Sequence, residues 1–153
     1  MTIQAKRDRL HRAQIGHYLE SEKYTKYHYY LGVPLMVLSG VTNVGVLYQV
    51  DFTKIDILMV GLIISTLLVT ILSALQTFLN FYQKAELHRS MAVKYGKIKR
   101  DIEMLLERDI SKNKVDEYLQ SIQNEWNNVA EMAPITPSSV RAKVKEILNE
   151  DKK

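Results

Sequence analysis

Four histidines, His11, His17, His28 and His88, come nearest to metal or acid–base chemistry in this chain. Their spacings match no metal-ligand pattern, and no cysteine stands with them. The chain has no glycine-rich loop to cradle a phosphate and no nucleophile elbow. Carboxylates after Tyr82 alternate with Lys and Arg, the pattern of a solvated helix face. Residues 41–45 (VTNVG) lack the repeat and loop context of a potassium filter. No catalytic residue, metal site or cofactor can be assigned, and the chain reads as a non-enzyme.

Uncharged polar residues do show a pattern. Thr66, Thr70, Ser73, Thr77 and Asn80 step by four, three, four and three, and Lys84 continues the series. At helical pitch they share one face, within about 40° of its centre. Ser39, Thr42 and Asn43 form a smaller group, with Gly40 and Gly45 nearby. Two readings stay open for these residues. Small and hydroxylated side chains let membrane helices approach and hydrogen bond. The same side chains can form the weakly polar wall of a pore built from several chains.

The elements that must position them are two apolar stretches, residues 29–50 and 57–82, neither holding an Asp, Glu, Lys, Arg or His. Each exceeds the roughly 20 residues a helix needs to cross the ~30 Å hydrocarbon core. Only six residues (DFTKID, 51–56) separate them, which predicts an antiparallel transmembrane hairpin with both chain ends on one side. Thr53 with Asp56 fits an N-cap for the second span. A buried soluble hairpin is the alternative, but a chain of 153 residues has little protein in which to hide two such runs. The mean hydropathy is slightly negative only because polar sequence dilutes the spans.

Residues 1–28 are polar and basic, with Leu10, Ala13, His17 and Tyr24 at helical spacing, which predicts an amphipathic cytosolic helix. A secretory signal would place a shorter apolar core nearer the start. Tyr24, Tyr27, Tyr29 and Tyr30 gather at the membrane entrance, where phenol rings suit a half-wet boundary better than they suit base stacking. Gly32 and Pro34 are expected to loosen the junction, so that the first span changes direction against the preceding helix.

Basic residues set the orientation. Lys23 and Lys26 precede the first span, and Lys84, Arg89, Lys94, Lys97, Lys99 and Arg100 follow the second, whereas the loop has only Lys54. Positive-inside counting puts both termini in the cytoplasm, with the chain integral to the cytoplasmic (inner) membrane. The basic patch suits anionic headgroups, at about 1 kcal/mol per residue, and needs no nucleic acid to explain it. The net charge is a mild +4.

Past Tyr82 the helical pattern persists. Leu87, Met91, Tyr95, Ile98, Ile102 and Leu105 keep three- and four-residue steps, with Gly96 the one weak point. One helix from residue 57 to about 109 would reach some 80 Å at ~1.5 Å per residue. Its stripe needs a partner, which the N-terminal helix, the downstream helices or another copy can supply; coiled-coil oligomerisation is the expectation. DISKNK (109–114) breaks the pattern, and Asn113 with Asp116 suits a new helix start. Val115, Leu119, Ile122, Trp126 and Val129 then face inward, with Trp126 as a core anchor. Thr136 as N-cap and Pro137 at the first position open a last helix carrying Val140, Val144, Ile147 and Leu148. The expected fold is thus an all-α membrane protein: N-terminal helix (1–28), hairpin (29–82) and cytosolic helices (83–153), one of them continuing from the second span.

YHYYLGVPLMVLSGVT at the first span, and LSALQTFLNFYQKAELHRSMAVKYGKIKRDIEMLL after it, resemble the SLATT family. KAELH (84–88), followed by a small residue, an aromatic and a basic patch, carries most of the likeness, and APITPSS (133–139) adds to it. The similarity covers roughly residues 15 to 145. SLATT proteins are two-span effectors associated with SMODS nucleotidyltransferases and SLOG domains in prokaryotic conflict systems. The resemblance implies a homo-oligomeric effector in the lipid bilayer that permeabilises the host membrane in antiviral defence. It also implies a trigger from elsewhere, either a nucleotide second messenger or a partner sensor protein. A non-conducting membrane scaffold that recruits a cytosolic partner is the alternative function.

Overall fold

Helix is the only regular structure among the residues that the computed structural model describes, namely 2–47, 57–107 and 112–150. In chain order these are α1 (Ile3–Leu47), α2 (Ile57–Leu79), α3 (Phe81–Glu107), α4 (Lys112–Met132) and α5 (Ser138–Glu150). The inter-span loop with its Thr53–Asp56 cap lies outside the described residues, as does the start of the break at 109–111.

The N-terminal helix and the first span, expected to meet at a loosened junction, are one 45-residue helix with Pro34 inside it. Proline fits helical φ, but its missing N–H removes the bond to the Tyr30 carbonyl and its ring crowds that carbonyl. The second span continues as expected into α3, and residues 57–107 run on as one long apolar-to-polar helix. A single residue marks the passage: Asn80 has a φ of 44°, and its N–H still donates to the Gln76 carbonyl at 3.1 Å. Asn tolerates the left-handed region better than other side chains because its short amide hydrogen bonds locally.

The chain forms two compact units. The hairpin unit, Tyr24–Gln83, keeps its apolar side chains on the outside. No residue of α2 is buried, and Ile57, Leu58, Ile63, Leu67 and Phe78 stand exposed. A soluble helical hairpin would bury those side chains; two spans this long with none of their apolar window covered make the chain an integral membrane protein.

The second unit, Met1–Lys23 with Lys84–Lys153, is built the opposite way. Leu10 of α1, Met91, Tyr95, Ile98 and Ile102 of α3, and Ile122 and Val129 of α4 form its core, edged by Ala13, Leu105 and Trp126. Gly96, the weak point of the stripe, faces α1: a Cβ there would lie 2.6 Å from the Gln14 amide nitrogen, so that flexible side chain would have to shift. α5 closes the unit through Val140 and Val144, and Gly16 of α1 faces Thr136, Val140 and Val144. α5 begins one residue later than expected. The Pro137 carbonyl accepts the first helical bond, from Arg141 N–H at 3.2 Å, while the Thr136 methyl packs towards Gly16.

This core decides what partners the α3 stripe. Met91, Tyr95, Ile98 and Ile102 are buried within the chain and Leu105 packs against them, so the chain's own helices cover these five. An amphipathic stripe announces that it will be covered, not by what. Leu87 alone remains at the surface, 43% exposed.

Candidate functional site

In the hairpin unit the two spans meet along a seam of small and polar residues. The Thr42 hydroxyl donates to the Leu38 carbonyl at 2.8 Å, so the Ser65 hydroxyl must donate to Thr42 across the seam. Gly45 admits the Leu62 side chain, which would collide with any Cβ placed there. A Cβ on Gly32 would touch the Gln76 amide nitrogen at 3.5 Å, and the Gln76 amide oxygen is buried without a hydrogen-bond partner. Ser65 and Gln76 went unnoticed in the sequence because they lie off the threonine face. Their signal was position: each sits three or four residues from Leu62, Val69, Leu72 or Leu79, the half-covered side of α2.

The threonine face itself is not in this seam. Thr66, Thr70, Ser73 and Thr77 are exposed on the flank of α2, and Asn80 closes the series as the left-handed residue. Three of the hydroxyls donate to their own helix: Thr66 to Leu62, Thr70 to Thr66 and Thr77 to Ser73, at 2.8, 2.9 and 3.0 Å. Each then offers only acceptor lone pairs outward. On α1, Ser39 is half-buried with Thr42 on the seam side, while Asn43 is exposed.

Aromatic rings collect at the other end of the hairpin. Tyr24 and Tyr27 pack on Phe81 with ring centroids 6.1 and 5.4 Å apart, and His28 meets Tyr82 at 5.7 Å. Tyr29 and Tyr30 point outward, as amphipathic rings do at a headgroup boundary.

Among the basic residues, Lys97 pairs with Glu125 at 2.8 Å, which raises its pKa, and Lys99 pairs with Glu103 at 3.9 Å. Lys84 is engaged within the chain as well. Arg89, Lys94 and Arg100 make no side-chain bond among the described residues.

The second unit holds a polar cluster that the histidine spacings gave no hint of. His17 Nδ1 and His88 Nδ1 lie 2.9 Å apart, buried, with Tyr95 stacked on His17 at 5.5 Å. Two Nδ1 atoms at that distance share one proton, so one ring donates and the other accepts. Desolvation, with the neighbouring His88 second, lowers the pKa of His17 to about 4. Desolvation lowers that of His88 too, and Glu20 partly opposes it. Glu20 is fully buried, reached by Lys23 Nζ at 3.4 Å through one oxygen, while the other oxygen is unpartnered. The two rings come from residues 71 apart in sequence, which is why spacing alone could not pair them.

A two-span hairpin joined to a helical unit with a buried polar cluster therefore frames the comparison with known proteins. The model of the SMODS and SLOG-associating 2TM effector domain family 4 matches residues 1–153. The chain belongs to this family. No curated protein and no solved structure matches it. Membership makes the chain a two-span effector domain of the SMODS and SLOG-associated kind, a non-enzymatic class. Among the described residues no group of three His, Cys, Asp or Glu side chains converges as a metal site.

Proposed function

We propose that this SLATT chain is a membrane-permeabilising effector that assembles from several copies, with both termini in the cytoplasm. A signal from a partner, either a nucleotide messenger or a sensor protein, sets it off in a prokaryotic defence system. One hairpin cannot enclose water, so a passage needs several copies. The observation that carries this reading is the exposure of Thr66, Thr70, Ser73 and Thr77 outside the seam of their own hairpin. Hydroxyls lying on a lipid-facing flank gain most when a second copy or a column of water covers them. The scaffold reading draws on a different fact: three of these threonines satisfy their protons on their own backbone and tolerate lipid unaided.

The test is a Thr70→Leu/Ser73→Leu variant, with Leu68→Val/Leu75→Val on the far side of α2 as control, read by dye leakage and native gels. A pore wall predicts that leakage falls by roughly tenfold while the oligomer persists; a packing seam predicts that both fall together. A variant that leaks and assembles normally removes α2 from the pore. In the same cells, cysteines placed at positions 2 and 152 should resist a membrane-impermeant label added from outside.

A further inference from the structure

The four helical segments of the second unit line a half-open cavity of about 460 Å³. That size falls in the ~300–1,000 Å³ range of small-molecule sites. Its inner lining is largely apolar, with Ala133, Pro134 and Val144 beside the buried Tyr95 and His17 rings. Its mouth is cationic: Arg12 comes from α1, and Arg141 and Lys145 from adjacent turns of α5. None of these three side chains makes an ion pair or hydrogen bond among the described residues. Like charges gathered without a carboxylate repel one another, and an arriving anion relieves that repulsion.

An adjoining cavity of about 590 Å³ shares Arg12 and Lys145 and extends the same field. The one carboxylate lining it, Asp8, is already held by Arg7 at 3.0 Å. His11 lines it too, and the His11 Nδ1 is buried with no partner. A polar atom left unsatisfied inside a folded unit costs free energy that a ligand or ordered water can recover. With His17 held neutral by burial near pH 7, the inner wall stays uncharged and the charge sits at the mouth.

We propose that this cavity binds a phosphate ester: the phosphate seats between Arg12, Arg141 and Lys145, and a compact apolar or aromatic body lies against Tyr95 and His17. Guanidinium forks suit phosphate oxygens in bidentate contact. The ester can come from solution, as a nucleoside monophosphate, or from an anionic phospholipid headgroup. The inference stands on the geometry of the second unit alone and does not draw on the pore reading.

The experiment uses the full chain in phosphatidylcholine nanodiscs, where no leakage is measured, so its failure and the failure of the pore reading are separate events. AMP and inorganic phosphate are titrated calorimetrically and by the fluorescence of Trp126. Phosphatidic acid retained by the protein is measured in a parallel preparation. AMP should bind saturably, and more tightly than inorganic phosphate because of its base. Arg12→Ala/Arg141→Ala, and separately Lys145→Met, should weaken it by roughly tenfold or more, as loss of charge-assisted bonds does. Lys97→Ala should leave it unchanged, and all variants should melt like the parent because the mouth is exposed. Retention of phosphatidic acid by the parent but not by Arg12→Ala/Arg141→Ala, with no AMP binding, assigns the ester to lipid. No saturable binding of any of the three probes, or equal binding by the double variant, overturns the proposal.

Discussion

The hairpin unit and the second unit are made of the same helix, and α1 contributes to both, yet they treat apolar side chains in opposite ways. In α2 no residue is buried; in α3 Ala85, Met91, Ala92, Ile98 and Ile102 all are. Polar groups follow the inverse rule. The hairpin's exposed threonines bond to carbonyls one turn back on their own helix, whereas the second unit's buried His17 and His88 bond across helices. The difference is one of solvent. Lipid gives apolar side chains no reason to leave the surface, so association rests on close approach at Gly45 and on the Thr42–Ser65 bond. Water drives Leu10, Ile98 and Ile102 inward and leaves any polar group buried with them in need of a partner.

The largest test of this contrast is a charge placed on the stripe. Ile98 and Ile102 are fully buried, so Ile98→Asp/Ile102→Asp should unfold the second unit, not merely separate copies. The milder Ile98→Ala should cost about 2–5 kcal/mol, through lost burial and the cavity left behind. Denaturant unfolding followed by Trp126 fluorescence reads both. A folded double-Asp variant that has lost only its oligomers would return the stripe to the role of an intersubunit surface.

Next in size is the histidine pair. Burial sets the folded pKa of His17 at about 4, below the ordinary 6.5, so between those values the unfolded chain binds more protons than the folded one. Stability contributed by the neutral ring is therefore complete above about pH 6.5 and declines as pH falls towards 4. The full shift corresponds to about 3 kcal/mol for His17, and His88 shifts in the same direction. A proton added at the accepting Nδ1 would also set two N–H groups against each other. Denaturant midpoints at pH 7.5 and 4.5 should differ for the parent and converge for His17→Leu/His88→Leu. An equal drop in both would place the acid sensitivity outside the pair.

The hairpin was legible from its residues because lack of charge over two long runs is a one-dimensional signal. The α3 stripe was legible as a stripe for the same reason, since period 3.6 is written along the chain. Its covering was not, because Leu10, Ile122 and Val129 come from helices whose approach depends on the whole fold. The threonine face illustrates the limit in the hairpin: its existence followed from spacing, but its position beside the seam depended on which side of α2 meets α1. Gly96 shows how propensity misleads, for a residue that weakens an isolated helix lies buried in the α1–α3 contact, beside the Gln14 amide. Nothing in the spacing of His17 and His88 suggested a pair, since a contact between distant residues leaves no local period.

The smallest effect lies where the membrane span hands over to α3. Asn80 adopts φ of 44° between two helices that otherwise follow one another without a gap. A residue with a Cβ and no local hydrogen-bonding group costs about 1–2 kcal/mol in that conformation; glycine does not. Asn80→Gly should therefore keep the left-handed turn, and Asn80→Ala should either strain it or revert to right-handed helix. Reversion restores an uninterrupted helix through residue 80 and disturbs the Phe81 and Tyr82 rings, which pack on Tyr24, Tyr27 and His28. Thermal unfolding in nanodiscs should place Asn80→Ala below the parent by about 1 kcal/mol, with Asn80→Gly close to it. Helical content by circular dichroism distinguishes the two fates of alanine, since strain leaves it unchanged and reversion raises it slightly. If alanine and glycine prove equivalent in both measurements, the break at Asn80 does not persist in the bilayer, and the second span and α3 act as one rod.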